Sequence, residues 1–375
     1  MDAAPWPEPA SGASVRSAGD EWTMHQRGRQ RSGDASLGGL LSIATTVAWL
    51  TACDGTDPSG SVTVDDDVGF PAERWPSVRI PDASDWVDHG LILAQGEPGD
   101  WDHILWGGFA GSAIKRDGTH FLYYQGSSRY DEELGTVTDR AVGVATSRDG
   151  LRFEKSPANP VLTWQPNDGP EEGAVSTAAL IGSEGQTLLY YGANTEIDKF
   201  SVHADARVAT SRGGIEFTDR GVVLAHDDSS VWGFGDELFP ILALTEAGSS
   251  YLYYLPNGGR RSGHLSVAWG PGYHDFQWSG EVQAPTTELK VWSMASAVRL
   301  GDHGYGLALN EGGRLQIRLV DLARPWRVSE PIHTYEFDNM SSAFVLHDET
   351  TGVWYLYYQA ADFSGYGVRT ATIAE

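Results

Sequence analysis

Apolar positions in this chain fall in runs of about four to eight residues, rich in aromatic and β-branched side chains and bounded by Gly, Asp, Asn and Ser. Phe121-Leu122-Tyr123-Tyr124-Gln125-Gly126, with Arg140-Ala141-Val142-Gly143-Val144-Ala145-Thr146-Ser147 after it, has the pattern of adjacent antiparallel strands. Both pieces recur. Tyr190-Tyr191, Tyr253-Tyr254 and Tyr357-Tyr358 repeat the first, with a degraded copy at Gly304-Tyr305-Gly306-Leu307-Ala308-Leu309. Arg207-Val208-Ala209-Thr210-Ser211, Leu265-Ser266-Val267-Ala268-Trp269-Gly270, Leu315-Gln316-Ile317-Arg318-Leu319 and Tyr366-Gly367-Val368-Arg369-Thr370 repeat the second. Five copies at a period of about 50 to 65 residues, all of them strand-like, predict an all-β, five-bladed propeller rather than a sandwich.

A third repeat opens on an aromatic, passes a polar turn and ends apolar. It appears at Trp86 to Leu93, Phe153 to Leu162, Phe217 to Leu224, Phe276 to Val282 and Trp326 to Ile332, and reads as the outermost strand of a blade. The first copy precedes any complete blade, and the last blade, Met340 to Glu375, lacks one. Residues 86 to 93 are therefore expected to complete the C-terminal blade and close the ring, which removes two exposed sheet edges. The inner strands are predicted at Ser112-Ala113-Ile114, Thr177 to Ile181, Phe239 to Leu242, Ala295 to Val298 and Ser342 to Val345. This makes residues 75–375 one domain, and the loops entering the inner strands line one mouth of a central funnel.

Upstream, the composition changes. Arg27, Arg29 and Arg31 precede an apolar run from Leu37 to Leu50, followed by Thr51-Ala52-Cys53, the layout of an export signal. Leu50-Thr51-Ala52-Cys53 resembles the bacterial lipoprotein signal, which implies lipidation at Cys53 and an exported, envelope-anchored protein. Residues 1–53 are read as this signal region, with Met24 as the expected true start. Residues 54–74 read as an acidic tether, with five Asp between Asp54 and Val68. Cys53 is the only cysteine, so no intrachain disulfide can form. The net charge of −25 argues against nucleic acid and anionic lipid as partners. Contact with a membrane is expected through the lipid alone, and the chain is expected to act as a monomer.

The stretch from Phe121 to Leu162 closely resembles blades of the five-bladed glycoside hydrolases of family 43 and of their relatives in families 32, 68, 117 and 130. The resemblance implies a carbohydrate ligand and two carboxyl groups, one protonating the leaving oxygen and one opposite it as base or nucleophile. In those families an Asp on blade 1, a supporting Asp on blade 2 and a Glu on blade 3 stand just ahead of the inner strands. Here the corresponding positions are Ala110 or Gly111, Ser176 and Leu238, none of which is a carboxylate. Acids do stand a few residues further out. The resemblance then implies Asp102 as base or nucleophile, Glu172 or Asp168 as the tuning carboxylate, and Glu237 as the acid.

Trp101, His103, Asp168, Trp232, Asp236 and Trp292 are candidate substrate contacts, the indoles by stacking on sugar faces. Packing between blades is the competing role for those aromatics, and in a chain with 51 Asp and Glu a loop carboxylate is often only a cap or turn. His103, His203, His274 and His303 show no metal-ligand spacing, no cofactor is expected, and a structural Ca²⁺ held by mouth carboxylates stays open. No Gly-x-Ser-x-Gly or phosphate loop is present. Glycosidic hydrolysis is the expected activity. The alternatives are a non-catalytic carbohydrate-binding lipoprotein with a degenerate site, and a glycoside phosphorylase.

Overall fold

Four strands per blade and five blades make up the computed structural model, which describes residues 78–105, 111–131, 136–163, 174–197, 202–226, 237–257, 264–285, 289–300, 304–311, 313–338, 340–361 and 364–373. The signal region with Met24 and Cys53, and the tether, lie outside the described residues. From axis to rim, blade 1 runs Gly111–Arg116, Thr119–Gly126, Ala141–Ser147 and two short outer pieces, Glu154–Lys155 and Leu162–Thr163. Blade 2 is Ala174–Ile181, Thr187–Ile197, Val202–Ser211 and Thr218–Leu224; blade 3 is Glu237–Glu246, Ser249–Asn257, Ser266–Pro271 and Trp278–Glu281. Val291–Arg299, Tyr305–Glu311, Arg314–Asp321 and Arg324–Tyr335 form blade 4. Blade 5 has Met340–Asp348, Val353–Ala360 and Gly365–Thr372, and its outer strand is the N-terminal Val87–Ala94, antiparallel to Gly365–Thr372 with Val87 opposite Thr370 and Ala94 opposite Gly365. The closing strand read from the sequence is thus in place. Among the described residues no helix is long and apolar enough to cross a membrane.

Each inner strand packs on the next around the ring, and blade 5 returns to blade 1. The core lies between the sheets as five clusters, one for each seam. The seam between blades 5 and 1 holds Leu93, Leu122, Tyr124, Phe344, Tyr357 and Val368, and takes in Met294 from blade 4. A Cβ on Gly111 would meet the Met294 sulfur and come within 2.9 Å of Phe344, so the glycine leaves room for both side chains at the start of the inner strand of blade 1.

The Tyr-Tyr repeat has a physical meaning. Consecutive strand residues face opposite sides of a sheet. One tyrosine of each pair therefore faces the next blade and the other the preceding blade. Tyr123 donates to the Gly214 carbonyl (2.8 Å), Tyr190 to that of Tyr273 (2.6 Å) and Tyr253 to that of Pro325 (2.9 Å), in each case in the loop before the next blade's outer strand or at its start. Tyr357 closes the cycle on the Gly150 carbonyl of blade 1 (3.4 Å). In blade 4 the residue facing the next blade here is Ala308. Blade 4 is tied to blade 5 instead by Asn310, whose amide nitrogen donates to the Met294 and Ala343 carbonyls while its oxygen accepts the Ala343 N–H.

Inner strands run longer than the sequence indicates. The inner strand of blade 3 begins at Glu237, not Phe239, and that of blade 2 at Ala174, not Thr177. The blade 3 strand opens on a charged residue, Glu237, and the blade 2 strand on Ala174, which carries no strand preference. Pro240, a poor strand residue, sits beside a register shift on the axial edge, where no further strand needs its missing N–H.

Candidate functional site

Chain direction fixes which end of the ring is the mouth: every inner strand starts there and every second strand ends there. Hairpin turns such as Asp117-Gly118 and Ala247-Gly248, with φ of 47°, 72°, 49° and 82°, close the opposite face. Glu237 opens the inner strand of blade 3, paired with Asn257 and bridged in parallel to Ala204 of blade 2. Trp292 is the second residue of the inner strand of blade 4. Asp168, Glu172, Trp232 and Asp236 lie outside the described residues, in segments directly preceding the inner strands of blades 2 and 3.

Trp101, Asp102 and His103 lie on the loop between the closing strand and blade 1. Asp102 does not present an open carboxylate. It is 3% exposed, accepts a hydrogen bond from the Tyr124 hydroxyl (3.1 Å) and pairs with Lys155 Nζ at 2.7 Å. His103 Nδ1 stands 3.3 Å from the Gly96 carbonyl, and Trp101 stacks on Tyr124 with centroids 5.6 Å apart.

Two other blades explain this arrangement. In blade 2, Tyr191 donates to Asp219 (2.9 Å) and Asp219 pairs with Arg207 (2.6 Å); in blade 5, Tyr358 donates to Asp88 (3.0 Å) and Asp88 pairs with Arg369 (2.9 Å). Burial alone would raise the Asp219 carboxyl, but the bonds from Arg207, the Gly221 N–H and Tyr191 hold it below the usual range. A tyrosine, an aspartate and a cation thus recur behind the second strand. In blade 1 the outer-strand position of Asp219 is occupied by Lys155, and the third-strand position of Arg207 by Gly143. A Cβ on Gly143 would strike the Trp101 indole. Trp101 fills the volume an arginine takes in blade 2, and Asp102 supplies the carboxylate from outside the sheet. Asp102, read from the sequence as base or nucleophile, and Trp101, read as a substrate contact, are both packed at the seam between blades 5 and 1.

Sequence reasoning missed four groups near the mouth. Glu311, the last residue of the second strand of blade 4, is held by Arg318 through bonds of 2.8 and 3.2 Å, while Arg318 also reaches Gln316 and the Ser329 carbonyl. Asp205 accepts from both the backbone N–H and the ring of His226 (2.9 and 2.7 Å) at the mouth end of blade 2. Gln125, 2% exposed, has an amide nitrogen without a partner, and so has the hydroxyl of Ser342, also 2% exposed. The signal for Gln125 was present: it follows Tyr123-Tyr124 at the mouth end of the strand, where blade 2 has Gly192. A buried amide or hydroxyl with nothing to bond is costly. Among the described residues no three His, Cys, Asp or Glu side chains converge as a metal site.

No protein-family model matches the chain, and no curated protein matches its sequence. Solved structures match its shape. A β-1,2-mannobiose phosphorylase from Listeria innocua, solved with β-1,2-mannobiose, matches with a TM-score of 0.54 at 13% identity over 75% of this chain and 94% of its own. A family 43 β-xylosidase/α-arabinofuranosidase from a compost microbial metagenome, solved with xylotriose, gives 0.50 at 14% identity over 77% and 96%. A family 43 enzyme from Xanthomonas citri gives 0.51 at 16% identity over 76% and 91%. At these identities the likeness is one of fold, and the fold is that of the five-bladed propellers of glycoside hydrolases and phosphorylases.

Proposed function

We propose that this protein cleaves a glycosidic bond in an oligo- or polysaccharide bound at the funnel mouth, by acid/base hydrolysis. The observation that carries the reading is Glu237 as the first residue of the inner strand of blade 3, at its mouth end; cleavage of a glycosidic bond needs a carboxylic acid to protonate the leaving oxygen. Glu237 is the proposed acid. Asp102 is committed to Lys155 and Tyr124, so the opposing carboxylate is assigned to the segment before blade 2, to Glu172 with Asp168 in support. Trp232, Asp236 and Trp292 are the proposed sugar contacts. The shapes matched in solved structures belong to proteins described with β-1,2-mannobiose or xylotriose, which makes manno- and xylo-oligosaccharides the first substrates to try.

The protein is further proposed to be exported and held at the cell envelope by lipid on Cys53, as a monomer. Incorporation of labelled fatty acid, abolished by Cys53→Ala, tests the anchor.

Activity is tested with aryl-glycosides and with manno- and xylo-oligosaccharides, with and without inorganic phosphate. Glu237→Gln is expected to lower turnover by at least about 10²-fold, the range of a lost general acid, with the melting temperature unchanged. Turnover only with phosphate would identify a phosphorylase. The second reading, a carbohydrate-binding protein without catalysis, is favoured by the withdrawal of Asp102 from the mouth. It predicts sugar binding with no turnover in the wild type.

A further inference from the structure

On the rim, away from the funnel, three indoles lie in a row across the seam between blades 3 and 4. Trp278, on the outer strand of blade 3, stands directly opposite Trp269 on the third strand; their ring centroids are 6.4 Å apart with 24° between planes. Trp326, from the outer strand of blade 4, stacks on Trp269 from the other blade at 5.1 Å and 29°. Trp269 and Trp326 are half-buried against the seam, whereas Trp278 is 52% exposed. The corresponding cross-strand pairs in blades 1, 2 and 5 are Thr146 with Glu154, Thr210 with Thr218, and Thr370 with Val87, and the equivalent third-strand residue of blade 4 is Leu319. A tryptophan pair at this place is peculiar to blade 3. Asp275 and Gln277, both exposed, lie just ahead of Trp278 in the chain, bonded to each other at 3.2 Å, and the Gln277 N–H donates to the Trp269 carbonyl.

We infer that this row is a surface carbohydrate site, separate from the funnel, on which a neutral polysaccharide chain lays the C–H face of a sugar ring against Trp278 and bonds its hydroxyls to Gln277 and Asp275. Several observations select this occupant. Among the described residues the other large exposed hydrophobics, Val87, Leu91, Tyr130 and Val222, are on blades 5, 1 and 2, so none of them extends this patch. One such ring supplies far less than the roughly 800 Å² per partner that a stable protein interface buries. It is enough for one pyranose face, because a flat, rigid ring loses little conformational freedom on contact. An exposed polar pair just ahead of it in the chain suits hydroxyl groups. The net charge of −25 repels an acidic polymer. Trp269, stacked on Trp278 at 24° and itself backed by Trp326, holds that indole in one orientation, as a platform needs.

The ligand class rests on the function proposed above, and the test separates the two. The full chain, strongly anionic and thus mobile in native gels, is run through gels containing soluble xylan, galactomannan or mixed-linkage β-glucan, and turnover of a short substrate is assayed in parallel. Retardation of the wild type by at least one polymer is expected. Trp278→Ala should weaken the apparent affinity about tenfold, equivalent to 1.4 kcal/mol, with short-substrate turnover and melting temperature unchanged. Trp278→Phe, which keeps a ring, should fall between the two. No retardation of the wild type by any of the three polymers, equal retardation of wild type and Trp278→Ala, or a Trp278→Phe that binds no better than Trp278→Ala would overturn the site. None of these outcomes touches the funnel, which the short-substrate assay judges separately.

Discussion

At the scale of single residues, the same side chain means different things according to what its neighbours in the repeat have become. Asp102 looks like a mouth carboxylate because it follows a tryptophan ahead of an inner strand. It becomes a structural group once Lys155 is recognised as standing where blade 2 has Asp219, and Gly143 where blade 2 has Arg207. Two substitutions within the blade exchanged the positions of the charges, and a loop residue restored the missing one. The two roles separate experimentally. Asp102→Asn removes the charge facing Lys155 in a site where the carboxylate is nearly sealed but the ammonium is about one-third exposed. A loss of about 1–3 kcal/mol is expected, since a partly solvated lysine recovers some hydration. Chemical denaturation should show this loss while turnover of folded protein is retained. Glu237→Gln is expected to behave in the opposite way, with full stability and little turnover. A stable Asp102→Asn without turnover would return Asp102 to the chemistry.

At the scale of strands and blades, the repeat that revealed the fold is also what joins the sheets. A hydroxyl from Tyr123, Tyr190, Tyr253 and Tyr357 crosses each of four seams to a backbone carbonyl, and Asn310 serves the fifth. Tyr253→Phe keeps the ring and strands only the Pro325 carbonyl, at an expected cost of about 1 kcal/mol. Asn310→Leu leaves two carbonyls and one N–H unanswered in a buried seam, so about 3 kcal/mol is expected; urea midpoints of the two variants test the order. This explains why the architecture was legible from the chain. Alternating tyrosines, aromatic-led outer strands and an unmatched first outer strand are all local patterns that ring geometry requires. The site was less legible. Gly111, Ala174 and Glu237 open inner strands but carry no strand signature, and Pro240 placed the boundary of blade 3 two residues late. Gln125 and Ser342 matter through what they fail to touch, which no spacing records.

Across the whole molecule, the ring is as strong as the seam where its two ends meet. The closing strand joins the first and last parts of the domain within blade 5, and blade 5 then packs on blade 1 through Lys115, which pairs with Asp348, and through His120. His120 is 1% exposed; its Nδ1 lies 3.2 Å from the Tyr357 hydroxyl, and its ring packs edge-on to Tyr355 with centroids 4.7 Å apart. Burial first, then the Lys115 charge, pushes its pKa down to about 4 from 6.5, against the smaller upward pull of Asp348 and Asp149. The native state thus keeps His120 neutral over a range in which the unfolded chain takes up a proton. Its contribution is complete above pH 6.5 and is lost as the pH falls from there toward 4, where the native state also binds the proton and the loss levels off. Between pH 7 and 4.5 this should amount to about 2 kcal/mol. His333 and His347, also lowered chiefly by burial, add to the wild-type slope, so the measurement must be a difference. His120→Gln retains a polar group for Tyr357 but cannot titrate. It is expected to be less stable than the wild type at pH 7 and to close most of that gap by pH 4.5. Parallel denaturation curves for the two proteins across this range would show that the ring does not loosen through His120 in acid.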